Sequence, residues 1–240
     1  MLTITIGLLI IFFAGIVQGI TSFGFSLLAL PLLSFILPFN LIVPLLNIYS
    51  FLMNSFLLYK LKDDLATKKI IYLLIFGIIG TPIGTYLLTI VEQKTLKLVA
   101  GIIIITLAFS LLTGKKIVFK KEKLSTIPIG LTSGIFNGSL SFSGPPIILF
   151  FMNQGTPMNV FRANLTFYFW ILNIIVIPSY FFSGLLNKEV ASYVIYLLPA
   201  LIGGVFSGYY LSKFISESLF KKITLWLLTA LGILIILNTI

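Results

Sequence analysis

Two short polar stretches sit inside apolar runs, and their residue types restrict the chemistry open to them. The first is 15-GIVQGITSFG-24, with Gln18, Ser22, Phe23 and Gly24. The second is 134-GIFNGSLSFSG-144, with Asn137, Ser141, Ser143 and Gly144. Amides and hydroxyls both donate and accept hydrogen bonds, so these residues suit the binding of a small polar solute. Acid–base, covalent and metal chemistry need carboxylates, His or Cys in the site. The chain has no His and no Cys. Its acids, Asp63, Asp64, Glu92, Glu122, Glu189 and Glu217, all fall between apolar runs. The expectation is a protein that is not an enzyme and needs no cofactor or metal. A carboxylate relay at the centre of a bilayer is disfavoured for the same reason.

Three more polar residues belong with these stretches. Arg162 is the only Arg among mostly lysine cations, and a guanidinium matches oxyanions through paired donors. Its plainer role would be to set topology by reaching the headgroups. Asn54 and Asn173 lie deeper in their runs and serve either as ligand contacts or as interhelical bonds. In 141-SFSGPPIILFF-151, Ser143 or Gly144 can cap a helix whose first turn takes Pro145 and Pro146. Gly24 to Ser26 would start the equivalent helix in the first stretch. A helix beginning inside a membrane turns free N–H groups toward an anion. The preceding helix ends at the same place, near Gln18 and Asn137, and its carbonyls favour a cation. Dipoles alone therefore do not fix the sign of the ligand. A competing reading is that the glycines only let helices approach closely.

The elements that must position these residues are membrane helices. Of 240 residues 59% are hydrophobic and 9% charged, with a mean hydropathy of +1.16. Soluble domains carry about 25% charged residues. The apolar runs, 3–20, 23–38, 41–59, 70–90, 97–113, 127–141, 144–155, 160–183, 190–212 and 222–240, are continuous rather than alternating, which excludes a β-barrel. The N-terminus has no basic region and no cleavage site, and reads as a retained span. Runs 127–141 and 144–155 fall short of the ~20 residues a span requires, and suit a re-entrant hairpin. Runs 3–20 and 23–38 read as either a hairpin or two short spans.

Charge places the loops. If each pair returns the chain to its starting side, Lys60, Lys62, Lys68, Lys69, Lys115, Lys116, Lys120, Lys121, Lys123, Arg162, Lys213, Lys221 and Lys222 share one face. Only Lys94, Lys97 and Lys188 lie on the other, a ratio of 13 to 3. The positive-inside rule then sets both termini outside and the lysine-rich loops in the cytoplasm. It also accounts for the net charge of +10 without nucleic acid. Tyr59, Tyr72 and Tyr180 lie near run ends, where interfacial aromatics are expected.

The chain repeats itself. At an offset of 119 residues, Gly15, Gln18, Gly19, Ser22 and Phe23 match Gly134, Asn137, Gly138, Ser141 and Phe142. Tyr49 and Asn54 match Tyr168 and Asn173 at the same offset. At an offset of 124, Gly80, Gly84, Tyr86 and Lys97 match Gly204, Gly208, Tyr210 and Lys221. The pairs Gly80-x-x-x-Gly84 and Gly204-x-x-x-Gly208 are read as helix-packing contacts. Each repeat holds five membrane elements, an odd number, so the second is inserted upside-down. The expected fold class is all-α: a polytopic membrane protein of two inverted repeats, 1–113 and 127–240, joined by a cytoplasmic linker, 114–126. Each repeat has a re-entrant or broken helix pair followed by three transmembrane helices. Secondary transporters recurrently use this plan, with the site at the midplane.

The motif Gly15-x-x-Gln18-Gly19-x-x-x-Phe23-Gly24, followed by Leu27 and Pro31-Leu32-Leu33, with its degenerate copy Gly134-x-x-Asn137-Gly138, resembles the sulfite exporter TauE/SafE family, also called the toluene sulfonate uptake permeases. The resemblance covers essentially the whole chain. It implies transport of small sulfur-containing anions such as sulfite, sulfonates or sulfoacetate across the cytoplasmic membrane, and it favours an anion over a cation. The second copy departs toward Ser143-Gly144-Pro145-Pro146 where the first has Gly24-Phe25, so substrate identity is not carried over.

The expected substrate-binding set is Gln18, Ser22, Phe23, Gly24, Asn54, Asn137, Ser141, Ser143, Gly144, Arg162 and Asn173. The expected partners are a small anion and the lipid bilayer, with a homodimer left open. Two other readings of the same residues are an anion channel and a membrane scaffold that does not transport.

Overall fold

The structure is a computed structural model that describes residues 2–67, 70–96, 98, 99, 101, 102, 106, 122–216, 219 and 226. Most of the expected spans 97–113 and 222–240, and residues 114–121 of the expected linker, lie outside them. Helix is the regular structure of the described residues. In chain order the elements are α1 (Leu2–Thr21), α2 (Phe25–Leu33), α3 (Phe39–Leu61), a 3-10 turn (Lys62–Asp64), α4 (Ile71–Ile90), α5 (Glu122–Leu140), α6 (Gly144–Asn153), α7 (Met158–Phe182) and α8 (Lys188–Ser212). Among the described residues, five stretches are long and apolar enough to cross a membrane: α1, α3 with its following turn, α4, α7 and α8. The protein is an all-helical, polytopic membrane protein.

The helix lengths revise the expected half-helices. α5 has 19 residues because it begins at Glu122, before its apolar run. A helix of that length rises ~28 Å, close to the ~30 Å of a bilayer core. The short members are α2, with 9 residues, and α6, with 10. Each rises only ~15 Å, half the core. Each pair is thus one long helix followed by one short helix.

The long helices pack through small residues. α1 lies along α8, and α4 along α5; these are the two most extensive helix pairs among the described residues. Both pairs run parallel: Gly7 meets Leu197 while Gly19 meets Tyr209, and Gly130 meets Leu73 while Gly138 meets Thr85. A Cβ on Gly208 would sit 2.2 Å from the Ile16 carbonyl oxygen, and one on Gly84 would sit 2.1 Å from that of Ile135. In lipid the apolar surface of a helix gains nothing by leaving its solvent, so close backbone approach holds such pairs together. The packing role expected of Gly80, Gly84, Gly204 and Gly208 is observed, and Gly15, Gly19, Gly134 and Gly138 share it. The opposite face of α4 carries exposed Ile75, Ile79, Ile83 and Ile90, an apolar stripe suited to lipid.

α3 and α7 pack against each other and against the outer pairs. They carry the buried polar residues Asn47, Asn54, Arg162, Asn164, Thr166 and Asn173. Tyr59 and Tyr72 are exposed, as interfacial aromatics should be, but Tyr180 is fully buried. Its hydroxyl donates to the Gly138 carbonyl at 2.8 Å and accepts from Asn47 Nδ2 at 2.8 Å. The end of α5 is polar and holds the ring inside.

Candidate functional site

The two polar stretches end their helices in the same way. The Ser22 N–H donates to the Gln18 carbonyl at 2.7 Å, and the Ser141 N–H to the Asn137 carbonyl at 3.1 Å. Both serines then turn left-handed, with φ 63° and 58°, and they are the only non-glycine residues with positive φ among those described. This is the αL helix stop, in which glycine is the usual residue. Serine there costs ~1 kcal/mol or more and places a hydroxyl at the break.

After each break a short helix begins. Gly24, with φ 95°, is the N-cap of α2 and supplies no side chain. Ser143 is the N-cap of α6, with Pro145 and Pro146 in the first turn, and its side chain makes no capping bond. The Ser143 carbonyl accepts from Ser133 Oγ at 2.6 Å. The Phe25 N–H donates to Gln18 Oε1 at 3.2 Å, so Gln18 does for α2 what a capping side chain would. Ser26 Oγ lies 3.1 Å from Ser141 Oγ, which brings the start of α2 against the break after α5.

Between these breaks lies a small cavity. Seven of the expected residues line it: Gln18, Phe23, Gly24, Asn137, Ser141, Ser143 and Gly144. Four do not. Asn54 and Asn173 stand behind the wall and both donate to Ser50 Oγ at 3.1 Å. Ser22 and Arg162 are joined to each other on the α1 side. Arg162 is 4% exposed, and its guanidinium is spread over three acceptors: Ser22 Oγ at 3.3 Å from Nε, Ser212 Oγ at 3.1 Å from Nη1 and the Gly19 carbonyl at 2.9 Å from Nη2. It therefore bridges α7, α1 and α8 and neutralises the carbonyl end of α1, where a cation is favoured.

The cavity also takes residues outside the expected substrate-binding set: Ser26, Ser50, Phe25, Phe142 and Phe169 among them. Ser50 was within reach, since it precedes Asn54 by one helical turn and so shares its face. Phe169 stands at the 119-residue offset from Ser50, so one wall is polar where its counterpart is aromatic. The polar lining is amide, hydroxyl and backbone. Asn137 is 2% exposed, and its Nδ2 has no hydrogen-bond partner. A buried unpaired donor costs ~1–3 kcal/mol, and such groups persist where a ligand or water completes them. The described acids Asp63, Asp64, Glu92 and Glu189 are all exposed or half-buried.

The family model of the sulfite exporter TauE/SafE proteins matches residues 7–235, nearly the whole chain. The chain belongs to the TauE/SafE family. Its helices are thus those of a membrane transporter. No curated protein and no solved structure gives a match. In this TauE/SafE protein the motif glycines Gly15 and Gly19 pack helices, while Gln18 and Gly24 of the same motif face the cavity. The motif therefore joins helix packing to the cavity wall within ten residues.

Proposed function

We propose that the protein is a secondary transporter of small sulfur-containing anions, of the sulfite, sulfonate or sulfoacetate class, across the cytoplasmic membrane. The observation that carries this reading is the cavity between the two helix breaks, into which a buried, unpartnered Asn137 amide and several hydroxyls converge. Substrate contacts are assigned to Gln18, Phe23, Gly24, Asn137, Ser141, Ser143 and Gly144. Asn54 and Asn173 support the wall, and Ser22 with Arg162 forms the contact or gate on the cytoplasmic side. Family membership favours the sulfur anions.

The two halves are inverted repeats that move against each other. Three observations support this. The 119-residue offset relates the two left-handed serines. Exchanging the halves converts the α1–α8 pair into the α5–α4 pair, and these are the two dominant packings. Both pairs are parallel, as they must be if α1 and α8 run inward while α4 and α5 run outward. With the lysine-rich loops inside, both termini lie outside.

The test is counterflow in proteoliposomes. Vesicles preloaded with unlabelled sulfite should accumulate labelled sulfite transiently above equilibrium, and Gln18→Ala and Asn137→Ala should abolish this with expression intact. Uptake that is insensitive to internal substrate would instead indicate a channel. If no sulfite, sulfonate or sulfoacetate moved or bound, the substrate class would be wrong.

A further inference from the structure

A chain of hydrogen bonds behind the cavity has its direction fixed at one end. A backbone N–H can only donate, so the Phe25 N–H makes Gln18 Oε1 the acceptor and leaves Gln18 Nε2 the donor. The Ser22 carbonyl can only accept, and it takes one Nε2 hydrogen at 3.2 Å. The other goes to Asn54 Oδ1 at 3.0 Å. Asn54 must then present Nδ2 onward, and Nδ2 donates to Ser50 Oγ at 3.1 Å. From α7, Asn173 Nδ2 donates to the same oxygen at 3.1 Å. A hydroxyl oxygen has two acceptor positions and one proton. Asn54 fills one acceptor position of Ser50 and, in the amide orientation that turns its Nδ2 to Ser50, Asn173 fills the other, which leaves the Ser50 proton to be given away. No described protein acceptor takes it, and Ser50 lines the cavity.

We infer that Ser50 is a further substrate-contact and specificity-determining residue, whose hydroxyl is held as an obligate donor and offers its proton to an oxyanion in the cavity. The inference rests on the anion-transport reading above and deepens it. Opposed helix ends leave the sign of the ligand open, because carbonyls and N–H groups meet at the same breaks. The chain from Phe25 to Ser50 does not share that ambiguity. A cation needs an open lone pair, and Ser50 has none to offer. An oxyanion carries only acceptors, and it would meet both the Ser50 proton and Asn137 Nδ2, which has no partner. The two donors come from different halves, Ser50 from α3 and Asn137 from α5, so a bound anion ties the halves together.

Isothermal titration of the detergent-purified full chain with sodium sulfite and with sodium methanesulfonate tests this. Ser50→Ala should weaken binding about tenfold or more, the effect of losing a hydrogen bond to a charged group. Ser50→Thr, which keeps the hydroxyl, should stay within about threefold of wild type. If wild type binds and a monodisperse Ser50→Ala binds within about twofold of it, the Ser50 assignment is overturned while the transporter reading stands. Equal losses in the Thr and Ala variants overturn it too, since the hydroxyl would then not be what matters. If Ser50→Ala does not elute as a monodisperse species, Ser50→Cys, a weak donor of similar size, is judged by the same criterion. A wild-type protein that binds neither anion overturns both readings.

Discussion

Arg162 and Gly19 are joined by a hydrogen bond of 2.9 Å from the guanidinium Nη2 to the carbonyl near the end of α1. At the 119-residue offset, the Gly138 carbonyl accepts instead from the Tyr180 hydroxyl at 2.8 Å. The two helix ends are therefore closed by different chemistry, a fixed cation on one side and a neutral phenol on the other. A guanidinium reaches these three separated acceptors because its donors are spread in a plane, whereas the three donors of an ammonium issue from a single nitrogen. Bonds to charged groups contribute ~1.5–3 kcal/mol each, against ~1 kcal/mol for neutral ones. Arg162→Ala should therefore lower stability by ~3 kcal/mol or more and Tyr180→Phe by ~1 kcal/mol, with Arg162→Lys between them. Thermal unfolding in detergent reads the order. A Tyr180→Phe loss as large as that of Arg162→Ala would contradict the asymmetry.

Two adjacent glycines on α8 should respond in opposite senses. A Cβ on Gly204 would lie 2.3 Å from the Phe12 carbonyl oxygen, whereas one on Gly203 would meet only the Phe12 ring at 3.4 Å. Backbone cannot move aside as a ring edge can. Gly203→Ala should be neutral or stabilising by up to ~1 kcal/mol, through helix propensity alone. Gly204→Ala should push α1 off α8 and cost several times that, ~2–3 kcal/mol in the range of overpacked cores. Comparable melting temperatures for the two variants would mean that α1 and α8 are not packed as described.

The sequence made the seams legible because polar residues in apolar runs are costly and therefore conspicuous. Gln18, Gly24, Asn137 and Ser141 stood out for that reason, and all four line one cavity. The true length of α5 was hidden, since Glu122 and Lys123 read as linker although helix propensity runs straight through them. Tyr180 was misplaced because a tyrosine near the end of an apolar run looks interfacial until its hydroxyl is found against Gly138. Ser50 shares the helix face of Asn54 and yet did not stand out, for a different reason. A lone serine in a membrane helix ordinarily bonds back to its own backbone, as Ser55 does to the Phe51 carbonyl at 2.8 Å. Only the convergence of Asn54 and Asn173 on Ser50 sets it apart, and that convergence is tertiary.

The left-handed serines separate strain from hydroxyl chemistry. At Ser141, φ is 58°, a region that glycine enters freely and that costs other residues ~1–2 kcal/mol. Ser141→Gly removes both the strain and the hydroxyl. Ser141→Ala removes only the hydroxyl and keeps the strain. The Gly variant should therefore melt above the Ala variant by an amount equivalent to ~1 kcal/mol. Both should lose sulfite-dependent stabilisation to the same degree, because neither carries the oxygen that faces Ser26. Equal melting points would argue against the helix stop, and retained stabilisation in both would remove Ser141 from the site.

Asn137 should show stability and function moving apart. Its Nδ2 is buried and unpaired, which costs ~1–3 kcal/mol in the empty protein. Its backbone carbonyl, by contrast, is well held, accepting from Asn47 Nδ2 at 3.2 Å, a bond that does not use the Asn137 side chain. Asn137→Leu replaces the amide with an apolar group of similar volume and removes the unpaired donor. The variant should melt at or above the wild-type temperature in the absence of ligand, and sulfite should no longer raise its melting point, since ligand binding stabilises only a competent folded state. Gln18→Leu is the contrasting case, because it strands the Phe25 N–H and Asn54 Oδ1 together. It should melt lower by ~2 kcal/mol or more, whatever happens to binding. If Asn137→Leu is destabilised as much as Gln18→Leu, the Asn137 amide is a structural bond and not a donor waiting for substrate.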